Sequence, residues 1–169
     1  MLINFEGYDG VGKTTQIALL KDYLERRGNK VFVTRQNKES IYEEILQFVY
    51  SKKLSAKSKL FQFLSFLNEI VQTEIKPALM NGYIVITDRY IASTLAYQGY
   101  GEKLGLEIYN IAKYAVDNYI PDVTILLTRD DYTPQNGHDK HTISRIMHGY
   151  KTYSMFEPVL EIEIQKDHY

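Results

Sequence analysis

Short uninterrupted apolar runs, rich in β-branched residues, alternate along the chain with longer amphipathic stretches. The runs fall at 2–5, 31–33, 83–86 and 123–127. Such runs read as strands buried on both faces of a parallel sheet, and the intervening segments as the helices that cover them. A fifth run, Val159-Leu160-Glu161-Ile162-Glu163-Ile164, alternates apolar with acidic residues and predicts an edge strand with one wet face. Five strands in an α/β layered fold follow, as one domain over 1–169.

The helices are equally legible. Ile17, Leu20 and Leu24 recur at helical spacing over 14–27, and Gly28 is placed to end that helix. Ser40, with Glu43 three residues on, marks the start of a helix carrying Ile41, Ile45 and Val49. The Lys-rich segment 52–59 reads as a solvated connection. A helix over 60–80 is apolar around much of its circumference (Phe61, Phe63, Leu64, Phe66, Leu67, Ile70, Val71) until Asn81-Gly82 turns the chain. That breadth reads either as a central core helix or, the reading favoured here, as a helix shared between the core and a homodimer interface. A last helix is expected over 141–155.

Composition narrows the chemistry. The 169 residues contain no Cys, which excludes disulfides, thiolate zinc sites and thiol catalysis. Twenty Lys and Arg against 21 Asp and Glu give a net charge of −1, so nucleic acid is not an expected partner and any phosphate contact must be local. The fifteen Tyr are scattered, and most read as half-buried packing residues with a wet hydroxyl. No run approaches membrane-spanning length and Met1-Leu2-Ile3-Asn4-Phe5 lacks a basic leader, so a soluble, cytoplasmic protein is expected, with no membrane partner.

Gly7-Tyr8-Asp9-Gly10-Val11-Gly12-Lys13-Thr14 fits the Gly-x-x-x-x-Gly-Lys-[Ser/Thr] loop, between the first strand and the first helix, where the mechanism needs it. The glycines let main-chain N–H groups turn toward nucleotide phosphates at the positive end of the helix dipole. Lys13 reaches the β/γ oxygens and Thr14 offers a hydroxyl to Mg²⁺. Asp88-Arg89-Tyr90 follows the strand 83–87, and Thr34-Arg35 follows the second strand. In an open α/β sheet both lie on the loop's own edge, so Asp88 is placed to hold a metal's water shell and Arg89 to bridge two phosphates.

These residues resemble thymidylate kinase, a P-loop nucleoside monophosphate kinase. The likeness runs through Phe5-Glu6-Gly7 to Thr15-Gln16, Thr34-Arg35, Lys76-Pro77-Ala78-Leu79 and Asp88-Arg89-Tyr90-Ile91-Ala92-Ser93-Thr94-Leu95-Ala96-Tyr97-Gln98-Gly99, as far as about Leu127. It implies a P-loop NTPase three-layer sandwich with a parallel sheet ordered 2-3-1-4-5, and Mg²⁺-dependent transfer of the ATP γ-phosphoryl to dTMP, giving dTDP, in a homodimer. ATP would sit on Gly7, Asp9, Gly10, Val11, Gly12, Lys13, Thr14 and Thr15, with the metal at Thr14 and Asp88. The acceptor would meet Asp9, Arg35 and Arg89 at its phosphate, Phe63, Thr94 and Gln98 at its base, and Ser93 and Tyr97 nearby. Lys13, Asp9, Arg89 and Arg145 form the expected catalytic set.

The chain also departs from the family. Leu67 stands where an arginine usually meets the thymine, which opens the alternative of another monophosphate or a nucleoside as acceptor. Gln36-Asn37 replace the usual Glu-Pro. With Gly10 in the loop, the family draws its catalytic arginine from a lid after the fourth strand; here the lid, about 128–148, is short and offers Arg129, Lys140 and Arg145. His138 and His141 read as polar lid residues rather than zinc ligands. Five residues follow the edge strand, so a shortened C-terminus and loosely held adenine are expected. A non-catalytic nucleotide-binding homologue is the third reading.

Overall fold

The computed structural model describes residues 1–34, 41–129 and 139–165, apart from the side chains of 41–43 and 50. Ser40, Glu43, Gln36-Asn37, Arg35 and His138 therefore carry sequence expectations that lie outside the described residues or side chains.

Five strands form one sheet: β1 (Leu2–Gly7), β2 (Val31–Val33), β3 (Ile84–Asp88), β4 (Val123–Thr128) and β5 (Val159–Glu163). Their order is β2-β3-β1-β4-β5 and all four pairings are parallel. Each apolar run of the sequence is thus a strand, and the central β1 is buried along its whole length.

Helices cover both faces. On one, α1 (Lys13–Glu25) brings Ile17, Leu20 and Leu24 against Ile3, Phe5, Val31 and Ile86. On the other lie α3 (Ala56–Ile70), α5 (Ile91–Thr94), α6 (Ile108–Ala115) and α7 (Lys140–Tyr153), packed over Leu2, Val85 and Leu126. Between α1 and α3 runs α2 (Ile41–Ser51). The period of two along β1 sends Ile3 and Phe5 to the α1 face, and Leu2, Asn4 and Glu6 to the α3–α7 face.

The helix expected over 60–80 is helical from Ala56 but not uniform. A π-helical turn, Val71–Ile75, separates α3 from α4 (Lys76–Met80). Pro77 supplies the physical reason, since it has no N–H for the carbonyl four residues back and its ring crowds that carbonyl. Leu60, Leu64, Phe66, Leu67, Ile70, Val71 and Ile75 are buried within this chain, whereas Phe61 stays 58% exposed. A second π-helical stretch, Leu95–Gly101, continues α5 and backs onto α7.

One expectation needs correction. The edge strand β5 does not simply alternate a dry and a wet face: Leu160 and Ile162 are exposed along with Glu161 and Glu163. Tyr90, Tyr150 and Tyr153 are each sealed in the core. Helix α7 closes against the Leu95–Gly101 stretch, where Gly149 sits so near Ala96 that an added Cβ would come within 2.6 Å of its Cα. Among the described residues no helix is long and apolar enough to cross a membrane.

Candidate active site

The loop between β1 and α1 is shaped by positive-φ backbone. Gly7 has φ 132° and a Cβ there would meet the Leu127 carbonyl at 2.4 Å; Gly12 caps α1 in the left-handed region with φ 104°. Both conformations are open to glycine and costly for other residues. Because α1 begins without a side-chain cap, its first N–H groups face outward as anion donors. Val11 is buried beneath the loop and fixes its floor.

Lys13 is 7% exposed, and its Nζ donates to the carbonyls of Gly7 (3.1 Å) and Tyr8 (2.9 Å). Asp9 Oδ1 lies 3.9 Å from the same ammonium. Burial, together with the nearby Arg89 cation, lowers the Lys13 pKa to about 8. The Tyr8 hydroxyl donates to the Ile143 carbonyl at 2.9 Å, tying the loop to α7.

The loop opens on a cleft of about 890 Å³. Asp9, Gly10, Gly12, Lys13, Thr14 and Thr15 form one wall, and Asp88, Arg89 and Tyr90 at the end of β3 form the next. Ser93, Thr94, Tyr97 and Gln98 line it from α5 and its π-helical continuation, while Leu46, Phe63, Phe66 and Leu67 close the apolar end. One cleft therefore gathers most of the residues that the motifs single out. This follows from topology, because parallel strands deliver their following loops to one edge of the sheet.

Arg89 is the best-anchored cation of the cleft. Its backbone is left-handed, φ 67°, and its N–H donates to the Phe5 carbonyl at 2.8 Å. The guanidinium donates to Asp9 Oδ1 at 2.5 Å, to Ser93 Oγ at 3.1 Å and to the Tyr150 hydroxyl at 3.5 Å, and it lies over the Tyr97 ring at 5.3 Å. Asp88 beside it has its pKa raised by burial, although Lys13 and Arg89 pull the other way. A partly desolvated carboxyl and the exposed Thr14 hydroxyl, both lining the cleft, are oxygen donors of the kind a hard divalent cation takes.

The lid cations are placed differently. Arg145 does not line the cleft; its guanidinium donates to Thr142 Oγ1 (2.8 Å) and the Gly101 carbonyl (3.4 Å). Lys140 is exposed at the start of α7, and Arg129 borders a smaller cavity of about 180 Å³ with Tyr8, Thr128, Ile143 and Met147. Among the described residues no group of three His, Asp or Glu could hold a metal ion.

Sequence reasoning passed over Glu6. It is fully buried, and its carboxylate accepts hydrogen bonds from Asn4, Tyr90, Ser93 and Tyr150. The signal was present: Asn4 and Glu6 are two polar residues at period two inside an otherwise apolar strand. Leu46, Phe66 and Tyr150 were also missed, since an apolar or aromatic residue on a helix reads equally well as core.

The thymidylate kinase family model matches residues 5–142. Thymidylate kinase of Fervidobacterium nodosum is 40% identical over 129 residues, 75% of this chain and 66% of that protein. That of Chlorobaculum tepidum is 41% identical over 140 residues, 80% and 64% of the respective lengths. The chain thus spans just under two thirds of the length of these curated relatives. The crystal structure of thymidylate kinase from Ehrlichia chaffeensis superposes with a TM-score of 0.82 at 30% identity, over all of this chain and 89% of that one. The phosphate-cradling loop, the sheet order and the Asp88-Arg89 corner therefore coincide with a matching family model over most of the chain, and the chain belongs to the thymidylate kinase family.

Proposed function

We propose that this chain transfers the γ-phosphoryl group of ATP to dTMP, giving ADP and dTDP. The observation that carries this reading is the convergence of Lys13 and Arg89 on a single cleft whose far end is apolar and aromatic. The loop amides and Lys13 hold the donor's phosphates, Arg89 holds the acceptor's phosphate, and Phe63 packs on the base. Thr94 and Gln98, both nearly buried, supply the polar contacts to the base edge.

Phosphoryl transfer asks for alignment and spread positive charge rather than covalent help from the protein. The acceptor phosphate is itself the nucleophile, so no general base is required. Thr14 and Asp88 would hold Mg²⁺, which would supply charge neutralisation at the transferring group. Asp9 orients Arg89 across the mouth of the cleft, and Arg35 is a further candidate for the acceptor phosphate. Arg145 is the proposed lid arginine, which requires release from Thr142 and Gly101.

Leu67, at 7% exposed, lines the base end of the cleft and favours a second reading in which a different monophosphate is the acceptor. A coupled ADP-release assay across nucleoside monophosphates decides: turnover of dTMP is expected, and no turnover above background removes the assignment. The exposed Phe61 on α3 and Met80 on α4 support pairing of two copies through that face. Sedimentation velocity should return a dimer; a monomer at all concentrations excludes it.

A further inference from the structure

We infer that Glu6 is a positioning residue that sets the direction of the hydrogen bonds holding Arg89 in the cleft. The inference rests on the proposed phosphoryl transfer for its kinetic readout.

A carboxylate on the central strand with no exposed surface needs donors at both oxygens. Oε1 accepts from Asn4 Nδ2 (3.0 Å), the Tyr90 N–H (2.8 Å) and the Ser93 N–H (3.1 Å). The last two belong to the first turn of α5, whose N-cap Tyr90 provides no side-chain acceptor, so Glu6 caps that helix from across the sheet. Oε2 faces two hydroxyls, Ser93 Oγ at 2.5 Å and Tyr150 at 3.2 Å.

The same two hydroxyls are the acceptors of Arg89 Nη1. A hydroxyl has one hydrogen, and a guanidinium can only donate. With Ser93 and Tyr150 giving their hydrogens to Glu6, both oxygens are left to accept from Arg89. The carboxylate thus acts on the cation through two hydroxyls, and all the donors point one way. Exchange of Glu6 for Gln reverses this. The amide oxygen must serve the three N–H donors on the Oε1 side, which turns the NH₂ toward Ser93 and Tyr150. Those hydroxyls must then accept from the amide; they lie 3.2 Å apart, so one can give its hydrogen to the other, and the hydrogen of the second, no longer taken up by a carboxylate, competes for the space of Arg89. Its left-handed backbone, already costly for a residue with a Cβ, is then backed by a Tyr90 N–H bonded to a neutral amide oxygen instead of a charged one, a weaker hold.

The test compares E6Q, E6D, R89A and the E6Q/R89A double variant, after thermal unfolding confirms that each folds. Expected for E6Q is a fall of about thirtyfold in kcat/KM for the monophosphate, with KM for ATP unchanged. R89A should cost little more in the E6Q background than E6Q alone, and E6D, which keeps the acceptor-only group, should recover part of the loss. Full multiplicativity, or E6Q activity within twofold of the parent, overturns the inference.

A crystal structure of E6Q gives a reading independent of turnover. Arg89 is expected to leave Ser93 Oγ, and a guanidinium still within 3.5 Å of it sinks the idea even if the enzyme proves to act on another acceptor. Should E6Q not fold, Y150F removes one of the two relays. It should lower kcat/KM severalfold and non-additively with R89A, and additivity there counts against the proposal equally. Failure of the parent chain to phosphorylate any monophosphate refutes the functional reading alone.

Discussion

Arg89 and Asp9, eighty positions apart in sequence, meet with Nη2 2.5 Å from Oδ1 at the mouth of the cleft. The contact joins the tip of the phosphate loop to the end of β3, so the two halves of the site are registered against each other before any ligand arrives. The Arg89 side chain is 14% exposed and that of Asp9 50%, so the carboxylate is the more solvent-accessible partner of the pair.

Removing that cation should be felt in the transition state. R89A is expected to lower kcat by about a hundredfold or more, as losing a preorganised donor to developing charge does. Steady-state kinetics with dTMP as acceptor checks this, and a change confined to KM would contradict the placement of Arg89 at the transferring group.

Lys13 should make nucleotide affinity dependent on pH. Its pKa of about 8 in the free protein means the ammonium is present below that value and is lost above it. Phosphate raises the pKa on binding, so above pH ~8 the complex takes up a proton, and affinity falls by up to about tenfold per pH unit. Calorimetry with an ATP analogue at pH 7 and 9, in buffers of different ionisation heat, should show the uptake. K13A should bind weakly at both pH values with no such dependence.

Phe63 should act on binding rather than chemistry. F63A is expected to raise the acceptor KM by about tenfold with kcat changed much less, in line with the loss of a stacking ring. An unaltered KM removes Phe63 from the base subsite.

Gly149 tests the seam between α7 and the Leu95–Gly101 stretch. An alanine Cβ would meet the Ala96 backbone at 2.6 Å and the Tyr100 ring at 3.1 Å. Overpacking of this kind costs about 1–3 kcal/mol. Urea unfolding of G149A should show the loss, and a stability equal to the parent would mean that α7 is not held this closely.

Much of this molecule is readable along the chain. Each apolar run became a strand, because a strand covered on both faces tolerates few polar residues, and the phosphate loop declared itself because its glycines occupy backbone conformations that other residues avoid. The helix over 60–80 was legible apart from its first turn, which begins at Ala56 inside the stretch read as a connection, and its π-helical turn, since the register shift depends on how Pro77 and the surrounding core settle together.

What the sequence determined by itself was the alternation of strand and helix, the glycine-rich loop between β1 and α1, and the list of candidate side chains for phosphate. Periodicity and backbone chemistry are local, and a local signal survives in one dimension. Tertiary structure alone decided which side chains meet: Arg89 with Asp9, and Glu6 with Ser93 and Tyr150. A buried carboxylate is tolerable only when donors from distant segments surround it, so the importance of Glu6 is written in the packing of β1 against α5 and α7 rather than in the residues beside it.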